Sequence, residues 1–166
     1  MENIRVMISE EDVNKRIAEM GAQISKDYAG KEVRLICILK GSVFYTCELA
    51  KRITIPVTLD FMSVSSYGSG TVSSGTIKIK KDLDDDIDVI VVEDIIDSGN
   101  TLSRLIPMLK ERKPASLKIT TLLDKPDRRE VDDVTVDYVG FEIEDKFVVG
   151  YGLDYDHILE LLSSKT

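Results

Sequence analysis

Tryptophan is absent from these 166 residues, histidine occurs once and cysteine twice. Two cysteines, Cys37 and Cys47, both set in apolar segments, argue against a disulfide framework or a metal-ligand pair. They read as two buried thiols in a reducing compartment. The single histidine, His157, lies near the chain end without a partner motif and reads as a surface residue. No apolar run approaches the ~18 residues that a bilayer span requires, and the N-terminus lacks a signal-peptide pattern. A soluble, cytoplasmic protein with no membrane partner is expected. Positive charge is also scarce: 22 Lys and Arg against 30 Asp and Glu leave a net charge of −8. No basic stripe is present, which speaks against a nucleic-acid partner. An acidic chain that handles a polyanionic ligand must receive it through metal ions or helix N-termini.

The chain has the length of one domain, and 43% hydrophobic residues are enough for one core. Residues 9–28 repeat apolar side chains at helical spacing (Val13, Ile17, Met20, Ile24), with Ser9 and Asp12 placed as in a capping box. Residues 33–39 form a short, almost wholly apolar run, as a buried parallel strand does. After the break at Lys40-Gly41-Ser42, a helix is predicted over 43–53 and a strand over 57–64. Residues 65–75 are rich in Ser and Gly and read as a flexible loop, 76–80 as a half-exposed strand, and 82–86 as an acidic turn. Further strands are predicted over 87–92, 117–123, 136–143 and 147–151, with helices over 101–112 and near 157–162. Strands alternating with helices predict an α/β fold around a mostly parallel twisted sheet flanked by helices, with a small hood over its carboxyl edge.

The chemistry concentrates in Glu93-Asp94-Ile95-Ile96-Asp97-Ser98-Gly99-Asn100-Thr101, which leaves a buried strand and opens a helix. At a helix N-terminus, unpaired N–H groups and the dipole favour an anion. Gly99 lets the backbone approach a phosphate, and Ser98 and Thr101 offer hydroxyls. Glu93 and Asp94, adjacent at the strand end, suit a hydrated magnesium ion or a ribose diol. Asp97 stands between the two ends. An N-capped helix after an acidic turn would account for Asp97 or Ser98, but not for the whole ordered series.

The stretch from Val91 to Leu102 resembles the phosphoribosyl-pyrophosphate signature of the type I phosphoribosyltransferases, and its Glu-Asp-Ile-Ile-Asp form resembles the hypoxanthine-guanine branch. The similarity runs from about Val33 to Tyr155. Leu39-Lys40-Gly41-Ser42 resembles the family's pyrophosphate loop, which implies binding by Lys40 and Gly41 and a cis peptide at Lys40–Gly41. Ser66-Tyr67 resembles the pair in the mobile loop that closes over the reaction. Lys125 matches a lysine that donates to the purine O6. The segment from Phe141 to Tyr155 is a second match. It implies that Phe147 stacks on the base, that Val148 binds it through the backbone, and that Asp154 serves purine and metal. Taken alone, Lys125 would read as a surface lysine, and Phe147 and Val148 as core residues.

The resemblance implies a magnesium-dependent transfer of ribose 5-phosphate from phosphoribosyl pyrophosphate to N9 of hypoxanthine, guanine or xanthine, with pyrophosphate released. Asp97 would be the general base for the purine proton, while Glu93, Asp94 and Asp154 would hold the metal. One domain spanning 1–166, its hood built from the N- and C-terminal segments, and a homodimer or homotetramer are implied too. The chain departs from the family at Glu160, where an arginine usually meets pyrophosphate, and it ends at Thr166 without the customary terminal segment. Asp124 and Asp127 add acid near the lysine, partly offset by Arg128 and Arg129. Two other readings stay open: a regulator that binds phosphoribosyl pyrophosphate without catalysis, and a transferase for adenine or a pyrimidine.

Overall fold

The computed structural model describes residues 5–64 and 86–153. Five strands, β1 (Val33–Leu39), β2 (Val57–Ser63), β3 (Asp88–Ile96), β4 (Ser116–Asp124) and β5 (Tyr138–Glu142), form one sheet in the order β2-β1-β3-β4-β5. Every pairing is parallel, so the expected mostly parallel sheet is wholly parallel among the described residues. Three helices, α1 (Glu10–Asp27), α2 (Val43–Arg52) and α3 (Asn100–Lys110), cover it.

Alternation along the central strands explains why both faces are covered. Val33, Leu35, Ile90 and Val92 point to one face, where they pack with Ile17, Met20 and Ile24 of α1 and Tyr45 and Leu49 of α2. Ile36, Ile38, Val89 and Val91 point to the other face, against Leu102, Leu105 and Leu109 of α3. Each fully buried aliphatic side chain contributes about 1.5–3 kcal/mol, so a strand that is apolar on both sides is worth keeping in the middle of the sheet. The Tyr45 hydroxyl, carried deep into the first face, lies 2.6 Å from Thr120 Oγ1. Its burial pushes the phenol pKa up.

The start of α1 follows its sequence. Ser9 is the N-cap, and its hydroxyl accepts from the Asp12 N–H at 3.1 Å, while Glu10, Glu11 and Asp12 complement the helix dipole. Two expectations need correction. Cys37 is buried, but Cys47 is exposed, because α2 turns Tyr45, Thr46 and Leu49 inward and leaves position 47 on the outer side. No strand covers residues 147–151. Gly150, Tyr151 and Gly152 all take positive φ angles, which turns the chain back on itself, and only an isolated bridge between Gly150 and Leu153 remains. The predicted elements at 76–80 and 157–162 lie outside the described residues, as do Ser66, Tyr67, Asp154, His157 and Glu160. No helix among the described residues is long and apolar enough to cross a membrane.

Candidate active site

The strand order reverses direction between β1 and β3: β1 leads through α2 outward to β2, and β3 leads through α3 to β4 on the other side. Such a switch point opens a crevice at the carboxyl ends of the strands. Three loops meet there because β1, β3 and β4 are neighbours. Lys40 and Gly41 follow β1, Glu93 to Ile96 form the last residues of β3 with Asp97 just past its end, and Lys125 follows β4.

The β1 and β3 loops touch. A methyl group on Gly41 would lie 2.0 Å from Asp94 Oδ2, so only glycine leaves room for that carboxylate. Asp94 Oδ1 accepts from the Ile95 N–H at 2.8 Å, which fixes the side chain. The cis peptide of this loop is Leu39–Lys40, one bond earlier than expected. Ser42, fully buried, donates to the Ile38 carbonyl at 2.6 Å and lies 3.2 Å from Cys37 Sγ, which pins the loop to its own strand.

Glu93 and Asp94 form an acid pair at the strand end. Glu93 is buried, and its pKa is held well above the ordinary carboxylate value, first by that burial and next by the neighbouring charge of Asp94. A buried carboxyl facing a second one is unfavourable without a cation or a shared proton. The donor set therefore fits a hard, oxygen-preferring divalent ion. Among the described residues no cluster of three or more His, Cys, Asp or Glu could hold a metal. An ion at Glu93 and Asp94 would complete its shell with water and ligand oxygens, as magnesium commonly does.

Past the acids, Glu93, Ile95 to Thr101 and Leu102 line a hollow of about 180 Å³. Gly99 caps α3 in the left-handed conformation, φ +81°, and packs so closely on Val131 and Arg129 that a methyl group would lie 2.7 Å from Val131 Cγ2. The turn carries its own hydrogen bonds. The Asn100 N–H donates to Ser98 Oγ at 3.2 Å, and the Asn100 carboxamide donates to Glu130 Oε2 at 2.9 Å. Thr101 is half-buried on the same wall.

Asp97 and Lys125 come together across β3 and β4, whose ends are in register at Ile96 and Asp124. The Lys125 N–H donates to the Ile96 carbonyl at 3.0 Å. Its ammonium lies 3.4 Å from Asp97 Oδ1, with the lysine side chain 8% exposed and the aspartate 48% exposed. A surface lysine would not be buried so deeply. Phe147, by contrast, is 74% exposed, and Val148 is half-buried against the first face of the core. Phe147 is not the interior residue that its apolar character alone suggests, whereas Val148 borders the core. Their loop is tied to the turn after Lys125, since Arg128 Nη1 lies 3.3 Å from Asp145 Oδ2. It also reaches the start of α2, where Gly152 packs on the Phe44 ring and the Tyr151 ring stands 6.2 Å from that of Phe44.

Three contacts were invisible to sequence reasoning: Gly41 with Asp94, Arg129 with the Asp97 carbonyl, and Glu130 with Asn100. Each joins residues far apart in the chain. The only signal was the pair of basic residues that follows Lys125.

The sequence profile of the phosphoribosyl transferase domain matches residues 9–156. A hypoxanthine-guanine phosphoribosyltransferase from Streptococcus thermophilus is 52% identical over 155 residues, covering 92% of this chain and 86% of the relative. A hypoxanthine phosphoribosyltransferase from Salmonella typhimurium is 53% identical over 157 residues, covering 92% and 88%. Among solved structures, a hypoxanthine-guanine phosphoribosyltransferase from Bacillus anthracis, with a HEPES molecule in its active site, superposes with a TM-score of 0.85. It is 46% identical in sequence, with 96% of this chain and 95% of the other covered.

Proposed function

The chain belongs to the phosphoribosyl transferase domain family, and we propose that it salvages hypoxanthine or guanine by taking ribose 5-phosphate from phosphoribosyl pyrophosphate. The observation that carries the choice of base is the Lys125–Asp97 pair. In a 6-oxopurine, O6 and N7 lie side by side on one edge of the ring. A lysine ammonium 3.4 Å from an aspartate oxygen presents a donor and a proton acceptor to those two atoms together. An adenine would offer a donor to the lysine instead of an acceptor, and a pyrimidine has no N7.

The residues divide the work as follows. Ser98, Gly99, Asn100 and Thr101 cradle the 5′-phosphate at the N-terminus of α3. Lys40 and Gly41 bind the pyrophosphate, and Glu93 and Asp94 face the ribose diol. Phe147 lies over the base, Val148 meets its edge through the backbone, and Asp97 takes its N7 proton as N9 attacks. Asp97 works through position, which the hydrogen bond from the Lys125 N–H to the Ile96 carbonyl helps to secure. Magnesium held by Glu93 and Asp94, and by Asp154, would neutralise the leaving pyrophosphate and organise the diol. Ser66 and Tyr67 belong to the loop that closes over the substrates in this reading, which keeps water from the activated sugar. The same proposal takes residues 1–166 as one cytoplasmic domain with a hood from its terminal segments, assembled as a homodimer or homotetramer.

The test is a spectrophotometric transfer assay with phosphoribosyl pyrophosphate, magnesium and a panel of hypoxanthine, guanine, xanthine, adenine and a pyrimidine. Turnover confined to the 6-oxopurines is expected, and Asp97→Asn should lower it by roughly 10²–10⁴ while sugar-phosphate binding persists. Turnover of adenine or a pyrimidine in preference would overturn the assignment of the base. Binding of phosphoribosyl pyrophosphate without any transfer would make the chain a sensor.

A further inference from the structure

The segment that follows Lys125 does more than connect two strands. After the single 3₁₀ turn Pro126–Arg128, the chain doubles back over the turn at the start of α3. Arg129 Nη2 pairs with Asp124 Oδ1, and the same guanidinium donates through Nε to the Asp97 carbonyl at 3.3 Å. The Arg129 side chain is 18% exposed and that of Asp124 10%. Burial is the largest influence on Asp124 and raises its pKa, while the Arg129 charge opposes that rise. The next residue continues the contact, with the Glu130 N–H donating to the Ser98 carbonyl at 3.0 Å. Arg129 Cδ and Val131 Cγ2 then close against Gly99.

From this geometry we infer that Arg129 is a positioning residue that holds the peptide of Asp97, and through it the Asp97 carboxylate, in register with Lys125. The inference rests on the reading of Asp97 as the proton acceptor. Its physical content lies in the fork of the guanidinium. One N–H is spent on a carboxylate at the end of β4, and another on a carbonyl just past the end of β3. The two strand ends that carry Lys125 and Asp97 are therefore locked by one rigid, planar group. An ammonium in its place can neutralise Asp124 but lacks the second, fixed donor direction. Without that donor the Asp97 carbonyl loses its Arg129 partner, the turn is held through the flanking Ile96 and Ser98 carbonyls, and the carboxylate loses its alignment with the purine edge.

The experiment is a double-mutant cycle on the full chain, with Arg129→Lys, Asp97→Asn and the double variant assayed for kcat and for both KM values. In the parent background Arg129→Lys should lower kcat about tenfold or more, since small misplacements of a reacting group are costly, with KM for hypoxanthine within about twofold. In the Asp97→Asn background the same change should lower kcat by less than about twofold, because the group it positions is no longer a base. A merely structural arginine would lower the melting temperature and leave kcat of the folded enzyme alone. Full kcat in Arg129→Lys, or an equal loss in both backgrounds, overturns the inference. Should Arg129→Lys fail to fold, Asp124→Asn frees the other end of the fork and is put through the same cycle with the same two criteria. Absence of transfer by the parent chain would instead refute the enzymatic reading itself, and is scored before any variant.

Discussion

Replacing Gly41 by alanine places a methyl carbon where Asp94 already stands. The new carbon would lie 2.0 Å from Asp94 Oδ2 and 2.8 Å from its Cγ, whereas ordinary contact begins at 3.4 Å. The overlap exceeds an ångström, so the carboxylate must swing away, and its 2.8 Å bond from the Ile95 N–H goes with it. A hydrogen bond to a charged group is worth about 1.5–3 kcal/mol, of which water at this half-buried position restores part, leaving a loss of about 1–2 kcal/mol. For a chain of this size that lowers the melting temperature by roughly 2–8 °C. Activity should fall further than stability. Moving the acid proposed for the diol and metal site by about 1 Å should cost on the order of 10²-fold in kcat/KM. A second glycine separates the two effects. Gly30, in the loop before β1 at the opposite edge of the sheet, has φ +78°, and a methyl group added to it would meet no atom within 4 Å. Gly30→Ala therefore meets only the left-handed backbone penalty, roughly 1–2 kcal/mol. The two variants should melt alike while only Gly41→Ala loses transfer, measured by differential scanning calorimetry and steady-state kinetics. Parental kcat/KM in Gly41→Ala, or an equal loss in Gly30→Ala, would refute the role given to the Gly41–Asp94 contact.

Lys125→Ala should raise KM for hypoxanthine by roughly ten- to a hundredfold, the value of a buried hydrogen bond from a charged donor, and move KM for the sugar substrate much less. An unchanged KM for the base would remove Lys125 from the purine edge. Glu93→Gln should alter the pH dependence of stability in metal-free buffer. The folded pKa of Glu93 lies well above its ordinary 4.5, because of burial and then the Asp94 charge. Ionising Glu93 thus destabilises the fold as pH rises from about 4.5 through that raised pKa, and glutamine escapes the penalty. The melting temperature of Glu93→Gln relative to the parent should climb over this interval, with transfer lost at the same time. A gap that stays flat with pH would mean that Glu93 is not a strained acid.

The sequence by itself determined the elements that depend on local pattern. Apolar runs such as 33–39 and 87–92 have the length and β-branched content of strands covered on both faces, and the capped amphipathic stretch that begins at Ser9 has one apolar face to lay against them. The ordered series from Glu93 to Thr101 also carried the expectation of an anion and metal site in sequence, because acids, turn and helix start follow one another along nine residues. Tertiary structure decided whatever depends on partners distant in the chain. It put Lys125 beside Asp97 by pairing β3 with β4, set Gly41 against Asp94 across the switch point, and laid Arg129 over the Asp97 peptide. It also exposed Cys47 and left 147–151 out of the sheet. Composition could not foresee either outcome: which side of a short helix faces inward is fixed by the packing of Tyr45 and Leu49, and three consecutive positive φ angles end a strand that its β-branched residues favour.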